Sequence, residues 1–502
     1  MSARTQTLTD PRPVDRPMSL DPPATATWER LRRHGQEHVL RFWDELEPKG
    51  REQLLSQLRF VDLDLIDRLV AQANAPASES SESIEPAPVL RLDEQPPRFT
   101  RAEGRALGER LLREGKVGVF LVAGGQGSRL GFAGPKGCLP FGLLSNRTLF
   151  ELHAQKIRRL RETHGAAVPW YILTSATNDA ETRGFFAANG FFGLPSEDVL
   201  FLEQTMLPAV DTQGRLLLAA RDSLFLSPNG HGGAYTTFSA RGGLEDARRR
   251  GIEHIFYFQV DNALISCVDP EFIGLHALTR SEMSLKVLEK SGPHEKIGVV
   301  ALRGGRPVVV EYSDLPSELA EARDERRRLV FGAGSIAIHA FGLDFFERVA
   351  IGSIELPYHI ARKEIETIDD DGGKCRADGM KFETFVFDAL SFAERFLHVE
   401  VARKREFAPV KNRSGVDSLD SARELVLAEH IRWMREGGVE VTGRVEISPL
   451  VALGSEDLRE RLAPWKGKTL SGDVRVECGP DGRVVVTSSP PGGRSPLPSE
   501  RR

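Results

Sequence analysis

The sequence predicts an α/β fold built on a mixed, mostly parallel sheet, with a helical segment before it and a small β-rich domain after it. Short apolar, β-branched runs carry the first part of that reading: "VGVFLVA", "WYILTS", "IFYFQV", "SLKVLE", "IGVVAL" and "PVVVEY" recur between residues 117 and 312 with helical patterning among them. Strands that alternate with helices are joined by crossovers, which places helices on both faces of the sheet. Ahead of them Leu31, Val39, Phe42, Leu46, Leu55, Leu58, Leu65 and Leu69 recur near helical spacing, the mark of amphipathic helices. Past residue 440, "VEISPLVAL", "LSGDVRVECG" and "GRVVVTSS" are short β runs divided by turn residues, with no clear helical pattern.

A chain of 502 residues exceeds the size at which one core stops growing, so several domains are expected. Residues 1–26 and 488–502 read as disordered tails, too rich in Pro, Ser and charge to bury apolar surface. Residues 27–99 read as the helical segment and a linker, because "NAPASESSESIEPAPVLRLDEQPPRF" combines Pro, Ser and Glu. The main domain then spans 100–440 and the β-rich domain 441–487. No apolar run long enough to span a bilayer occurs, and the polar, Pro-rich start is not a secretory signal. Cys138, Cys267, Cys375 and Cys478 lie far apart with no CxxC pair, which fits a reducing compartment and argues against a thiolate zinc site. A cytoplasmic location without membrane contact is the expectation. The net charge of −5 would repel a nucleic-acid backbone, so nucleic acid is not an expected partner.

The stretch "VGVFLVAGGQGSRLGFAGPKG", residues 117–137, runs a buried strand into a glycine-rich turn. Such a turn brings backbone N–H groups close to an anion. A dinucleotide loop needs GxGxxG, and here the register fails at Arg129. A P-loop needs a hydroxyl after its lysine, and Lys136 is followed by Gly137. Arg129 and Lys136 distinguish the stretch from a plain turn. Two unit charges about 4 Å apart repel by roughly 4 kcal/mol at an effective dielectric near 20, so joining two phosphorylated molecules demands such cations.

"AGGQGSRLGFAGPKG" closely resembles the signature loop of the eukaryotic-type UTP:sugar-1-phosphate uridylyltransferases. The resemblance continues in order through "PWYILTSATND", "LFLEQTMLPAVD", "LSPNGHGGAY", "FYFQVDNALISCVDPEFIG", "EKIGVVALRGGRPVVVEYSDL", "GMKFETFVFDAL" and "REFAPVKN". It covers roughly residues 100–455 and is strongest to the members that make UDP-N-acetylhexosamines. It implies a glycosyltransferase-A-like, Rossmann-like nucleotidyltransferase core that makes UDP-sugar and pyrophosphate from UTP and a sugar 1-phosphate, with Mg2+ or Mn2+. Carried over motif by motif, Val122, Ala123, Gly124, Gly125 and Gly127, with Arg129, hold UTP, Lys136 faces its phosphates and Lys381 matches a UTP-binding lysine, so that Arg129, Lys136 and Lys381 form the implied catalytic set. Gln204 and Gly230 match uracil contacts, and Glu311 with Tyr312 matches a pair associated with uridine. Asp261 matches the acidic residue of the metal and nucleotide site. His231, Gly298, Ser335 and Lys411 fall on the sugar-phosphate side.

The residue types suit that chemistry. A phosphate with a second pKa of about 6 is already ionised at neutral pH, so the nucleophile needs no general base. What remains is positioning and charge neutralisation. Asp261 follows the run "IFYFQV" and so stands at the carboxyl end of a strand, where open α/β sheets bind ligands. The departures fall on the sugar side: N-acetylhexosamine members usually read Asn where this chain has His231, and asparagines in the segment that here reads "FGAGSIAIHAF". N-acetylglucosamine 1-phosphate is the expected substrate, with glucose 1-phosphate or a broad range as the alternative. A UDP-sugar sensor is the non-enzymatic alternative, and the full cationic set speaks against it. Oligomeric state is left open.

Overall fold

Val117–Val122 is buried along almost its whole length, which is what a continuous apolar run dictates for a central strand. The computed structural model describes residues 16–75, 82–479 and 481–489. Its chain divides into two compact units. One gathers the described residues up to 75 with 204–233 and 355–388, and the other gathers 82–203, 234–354 and 389–489.

The larger unit is organised by a ten-stranded mixed sheet in the order Ile84–Pro86, Val299–Arg303, Ala333–Gly342, His254–Gln259, Val117–Val122, Trp170–Thr174, Val199–Glu203. The last four of these run parallel, with Val117–Val122 between its two parallel neighbours. Ala333–Gly342 pairs antiparallel with His254–Gln259 and with Met283–Glu289, and Met283–Glu289 is in turn parallel to Phe396–Glu400. Val299–Arg303 and Arg306–Val310 form an antiparallel hairpin with no helix between them. The sheet is thus parallel on the side that carries the glycine-rich loop and largely antiparallel beyond it. Its core runs through Val119, Leu121, Ile172, Phe256, Phe258 and the helix Leu149–His164, which contributes Phe150, Ile157 and Leu160.

The smaller unit packs three helices, Pro22–Arg33, Pro48–Arg59 and Leu63–Asn74, onto an antiparallel hairpin, His359–Ile368 with Lys374–Glu383. Trp28, Leu31, Leu54, Leu58, Ile66 and Leu69 share one core with Val210, Leu216, Ile368, Met380 and Phe382.

The expected domain boundaries need correction in four places. Helix Pro22–Arg33 starts inside the expected tail, because Asp21 caps it by accepting from the Ala24 amide at 2.9 Å and Pro22 tolerates the first helical turn. Ile84–Pro86 is a strand where a linker was expected, paired to Val299–Arg303. Segments 204–233 and 355–388 leave the expected 100–440 domain, since their apolar faces complete the core of the N-terminal helices. The C-terminal region is not purely β: helix Ser455–Arg461 buries Leu458 in the core around Val445, Ile447, Val474 and Val476. Residues 1–15, 76–81 and 490–502, which hold most of the expected tails and part of the linker, lie outside the described residues.

Candidate active site

In the larger unit the strand Val117–Val122 ends and the chain turns through residues 123–137. The carbonyls of Ala123, Gly124 and Gly125, where the turn begins, are taken by protein donors. Asn178 donates to the Ala123 carbonyl at 2.9 Å, the Ser175 hydroxyl to that of Gly124 at 2.9 Å, and the Lys136 amide to that of Gly125 at 3.0 Å. The amides of Gly124 and Gly125 donate to no acceptor among the described residues, so the loop turns unpaired N–H groups away from its own scaffold, the arrangement that binds an anion. Ala123 and Gly127 use their amides on Leu173 and Gly134 and so shape the loop, as does Val122 within the ladder. At Gly137 a Cβ would lie 2.2 Å from the Phe150 ring, so only glycine lets the chain pass that ring and return Lys136 to the loop.

Lys136 is the centre of the charge distribution. Its Nζ lies 3.2 Å from Asp261 Oδ2. Asp261 stands two residues past the end of the parallel strand His254–Gln259 and is only 7% exposed. The other carboxylate oxygen, Oδ1, has no partner among the described residues. Arg129, in the short turn Ser128–Leu130, is exposed and makes no ion pair among them.

Beside Asp261 a cavity of about 60 Å³ is lined by Asn262, Ile297, Ser335, Ala337 and Lys411. A bulge sits here: the ladder with Met283–Glu289 skips Ile336 and Ala337, and Ala337 takes a positive φ of 56°, a distortion that recurs beside functional sites. The Ser335 amide donates to the Gly298 carbonyl at 2.8 Å, and Gly298 lies against the Glu311 carboxylate. Tyr312 is 47% exposed. The larger unit therefore brings together the loop with Lys136, Asp261, Ser335 and Lys411, with Gly298 hydrogen-bonded to Ser335 and Glu311 against Gly298, while Arg129 is carried on the loop and Tyr312 follows Glu311 in the chain.

Gln204, Gly230, His231 and Lys381 belong to the smaller unit. The buried Gln204 amide donates to the Gly230 carbonyl. Gly230 has φ +59°, and a Cβ there would stand 2.3 Å from the Thr384 carbonyl oxygen. His231 stacks on Phe385 with ring centroids 5.1 Å apart, and its Nδ1 accepts from the Val386 amide at 2.9 Å. The proton of the neutral ring therefore resides on Nε2. Burial, aided by the nearby His359, pushes the His231 pKa down to about 4, so the ring offers a neutral donor. Lys381 lies with its ammonium 4.5 Å from the centre of the Phe225 ring. Burial first, and Lys363 second, hold its pKa below the usual lysine value, with Glu383 opposing them.

Some functional positions were not singled out in the sequence. Asn178 and Ser175 fix the loop carbonyls, and their only signal is the motif "TSATND". Asn262 donates to the Glu406 carbonyl at 2.7 Å and accepts from the Ala408 amide at 3.0 Å. It ties the end of the Asp261 strand to the segment that leads to Lys411. Phe385 and Phe225, the rings under His231 and Lys381, carry no polar chemistry to mark them.

With this geometry in place, comparison with known proteins is informative. The model of the family described as UTP--glucose-1-phosphate uridylyltransferase matches residues 77–460. The chain is 39% identical to UDP-N-acetylhexosamine pyrophosphorylase-like protein 1 of Xenopus tropicalis, over 86% of this chain and 93% of that one. It is 36% identical to UDP-N-acetylglucosamine diphosphorylase 2 of Arabidopsis thaliana, over 90% and 94%. Among solved structures, the uridine diphosphate N-acetylglucosamine pyrophosphorylase of Trypanosoma brucei matches with a TM-score of 0.76 and 28% identity, over 89% of this chain and 96% of that one.

Proposed function

Since the chain belongs to the UTP--glucose-1-phosphate uridylyltransferase family and is a uridylyltransferase, we propose that it joins UTP to N-acetylglucosamine 1-phosphate, releasing pyrophosphate. The observation that carries the reading is the loop whose Gly124 and Gly125 amides have no acceptor among the described residues, beside the Lys136 and Asp261 pair.

A sugar-phosphate oxygen attacks the α-phosphorus of UTP in line. The new O–P bond forms as the bond to the bridging oxygen breaks, and the electron pair leaves with pyrophosphate. The attacking oxygen is already ionised, and the neutral His231 has no proton to remove. Lys136, Arg129 and Lys381 neutralise the triphosphate, and Lys411 takes the sugar-phosphate side. Gln204 offers its Oε1 as an acceptor for the uracil N3–H, because its amide nitrogen is spent on Gly230. Gly298, Glu311, Tyr312 and Ser335 complete the uridine and sugar surroundings.

Magnesium or manganese fits the donor set. Asp261 Oδ1 has no protein partner among the described residues, and magnesium is commonly held by one carboxylate together with substrate phosphates. When bound there it supplies Lewis-acid neutralisation of phosphate charge. A cytosolic setting belongs to the same reading: the four cysteines are free thiols, and no helix among the described residues is long and apolar enough to cross a membrane.

His231 and Ser335 favour a second reading, in which glucose 1-phosphate is used as well. A pocket that loses amide groups loses the hydrogen bonds that select an acetamido sugar. Crossing UTP with the 1-phosphates of N-acetylglucosamine, glucose, N-acetylgalactosamine and galactose, with pyrophosphate release as the readout, decides between them. The highest kcat/KM is expected for N-acetylglucosamine 1-phosphate, and absence of turnover with every sugar overturns the enzymatic reading in favour of a sensor. His231→Asn should raise the ratio of N-acetylglucosamine over glucose turnover, and an unchanged ratio removes His231 from the sugar's surroundings.

A further inference from the structure

The N-terminal segment reaches the surroundings of Lys381 through a buried side-chain amide between its first two helices. Gln36, 4% exposed, donates from Nε2 to the Gly214 carbonyl at 2.9 Å and accepts at Oε1 from the Leu216 amide at 2.8 Å. His38 adds a contact from Nε2 to the Leu216 carbonyl at 2.8 Å. The turn held in this way, residues 211–216, is continuous with two structures that surround Lys381. On one side Val210 and Asp211 pair with Met380 and Gly379, so the strand bearing Lys381 is clamped at the two residues before it. On the other side the Leu217 carbonyl accepts from the Phe225 amide at 2.7 Å, and Phe225 supplies the ring over which the Lys381 ammonium lies. Met380 and Phe382, on either side of Lys381, are buried in the core shared with Trp28, Leu31 and Leu58. Strand alternation therefore sends Lys381 to the opposite face, above Phe225.

We infer that Gln36 is a positioning residue for Lys381, fixing both the strand that carries the ammonium and the ring that seats it. The N-terminal segment then serves the reaction as a mounting for this lysine rather than as an appended module. The inference rests on the reading that Lys381 faces the triphosphate, and its test separates the two.

Gln36→Leu keeps the side chain's size and removes both hydrogen bonds. In the full-length protein, assayed well below its thermal midpoint, Q36L should lower kcat/KM for UTP at least tenfold. In a Lys381→Met background the same change should lower it less than twofold, because the lysine through which Gln36 acts is gone. Equal losses in both backgrounds, or wild-type kinetics for Q36L, overturn the inference. A second readout does not depend on what Lys381 does: reductive methylation with 13C-formaldehyde reports the Lys381 pKa by NMR. Q36L should move that pKa toward the ordinary lysine value, and an unmoved pKa overturns the link. If K381M alone keeps full activity, the reading of Lys381 falls while the NMR arm still decides whether Gln36 positions it. Should Q36L fail to fold, Gln36→Glu carries the test. Its carboxyl reproduces both bonds only when protonated, so its activity relative to wild type should be greater at pH 6.5 than at pH 8.5, and equal ratios overturn the inference.

Discussion

Replacing Lys136 by methionine keeps the length of the side chain and removes its charge. In the free protein the ammonium sits 3.2 Å from Asp261 Oδ2, and the two side chains are 21% and 10% exposed. At an effective dielectric of about 20 the gross attraction at that distance is about 5 kcal/mol. Much of this is offset by the cost of desolvating both groups. For the reaction, the relevant quantity is what the ammonium gains as negative charge develops on departing pyrophosphate. A charge-assisted hydrogen bond contributes about 1.5–3 kcal/mol net, which corresponds to a loss of about tenfold to about 150-fold in kcat. The assay is pyrophosphate release at saturating UTP and sugar 1-phosphate, with the thermal midpoint measured in parallel because Asp261 is left without its partner. Lys136→Arg should restore the midpoint more completely than the rate, since a guanidinium can pair with Asp261 without reproducing a lysine's point charge at the phosphate. A kcat for K136M within twofold of wild type would falsify the assignment of Lys136 to the reacting phosphates.

Gln204→Leu removes the acceptor proposed for uracil N3–H. The preference for UTP over CTP should fall about tenfold, the worth of one hydrogen bond of roughly 1.4 kcal/mol, and an unaltered preference would place base recognition elsewhere. Stability should also collapse on mild acidification. Burial lowers the pKa values of His38, His231, His398 and His430 to about 4 and that of His153 to about 3, against 6.5 for the unburied group. The unfolded chain therefore binds more protons than the folded one below pH 6.5. The stability these five groups contribute is complete above pH 6.5 and is lost as pH falls toward 4, with a limiting slope of about 7 kcal/mol per pH unit if all five act together. Urea midpoints measured from pH 7.5 to 4.5 test this, and a flat profile between 6.5 and 5 would show that the histidines are not held neutral.

The parts of the fold legible in the sequence are those whose physics is local. The run "VGVFLV" could hardly be anything but a strand buried on both faces, and it is one. The glycine-rich turn announces itself because steric exclusion at Gly137 leaves a mark in composition. Strand direction leaves no such mark. Ala333–Gly342 reads as apolar as any parallel strand and yet pairs antiparallel with both of its long neighbours, since burial on two faces selects apolar residues whichever way the chain runs. The hairpin strand "HIARKEIETI" was equally opaque. Its charges dominate the pattern, and Ile365 and Ile368 find their cores only with residues far away in the chain. The division into two units was hidden for the same reason. At the site, Lys136 and Asp261 could be named from motifs, but Asn178 and Asn262 act by satisfying backbone groups, and a buried asparagine looks like any other until the carbonyl it serves is seen.

The choice of sugar follows a different logic from the choice of reaction. Every hexose 1-phosphate presents the same anion, so a cation such as Lys411, proposed for the sugar-phosphate side, would neutralise all of them alike and could not tell one from another. Discrimination must come from neutral groups, whose hydrogen bonds are made or left unmade according to the substituent at C2. On the proposed reading two such groups are His231, held neutral with its proton on Nε2, and the Ser335 hydroxyl. An asparagine offers both a donor and an acceptor, whereas His231 has spent Nδ1 on the Val386 amide and retains only a donor. A donor can serve an acetamido carbonyl or a hydroxyl oxygen, but it cannot accept from the acetamido N–H. If His231 faces the sugar, it can therefore serve no more than one of the acetamido group's two polar atoms. On that reading Ser335 would set the ratio, because a hydroxyl both donates and accepts. Ser335→Ala should reduce turnover of N-acetylglucosamine 1-phosphate more than that of glucose 1-phosphate, and an equal reduction of the two would move the discriminating contact away from Ser335.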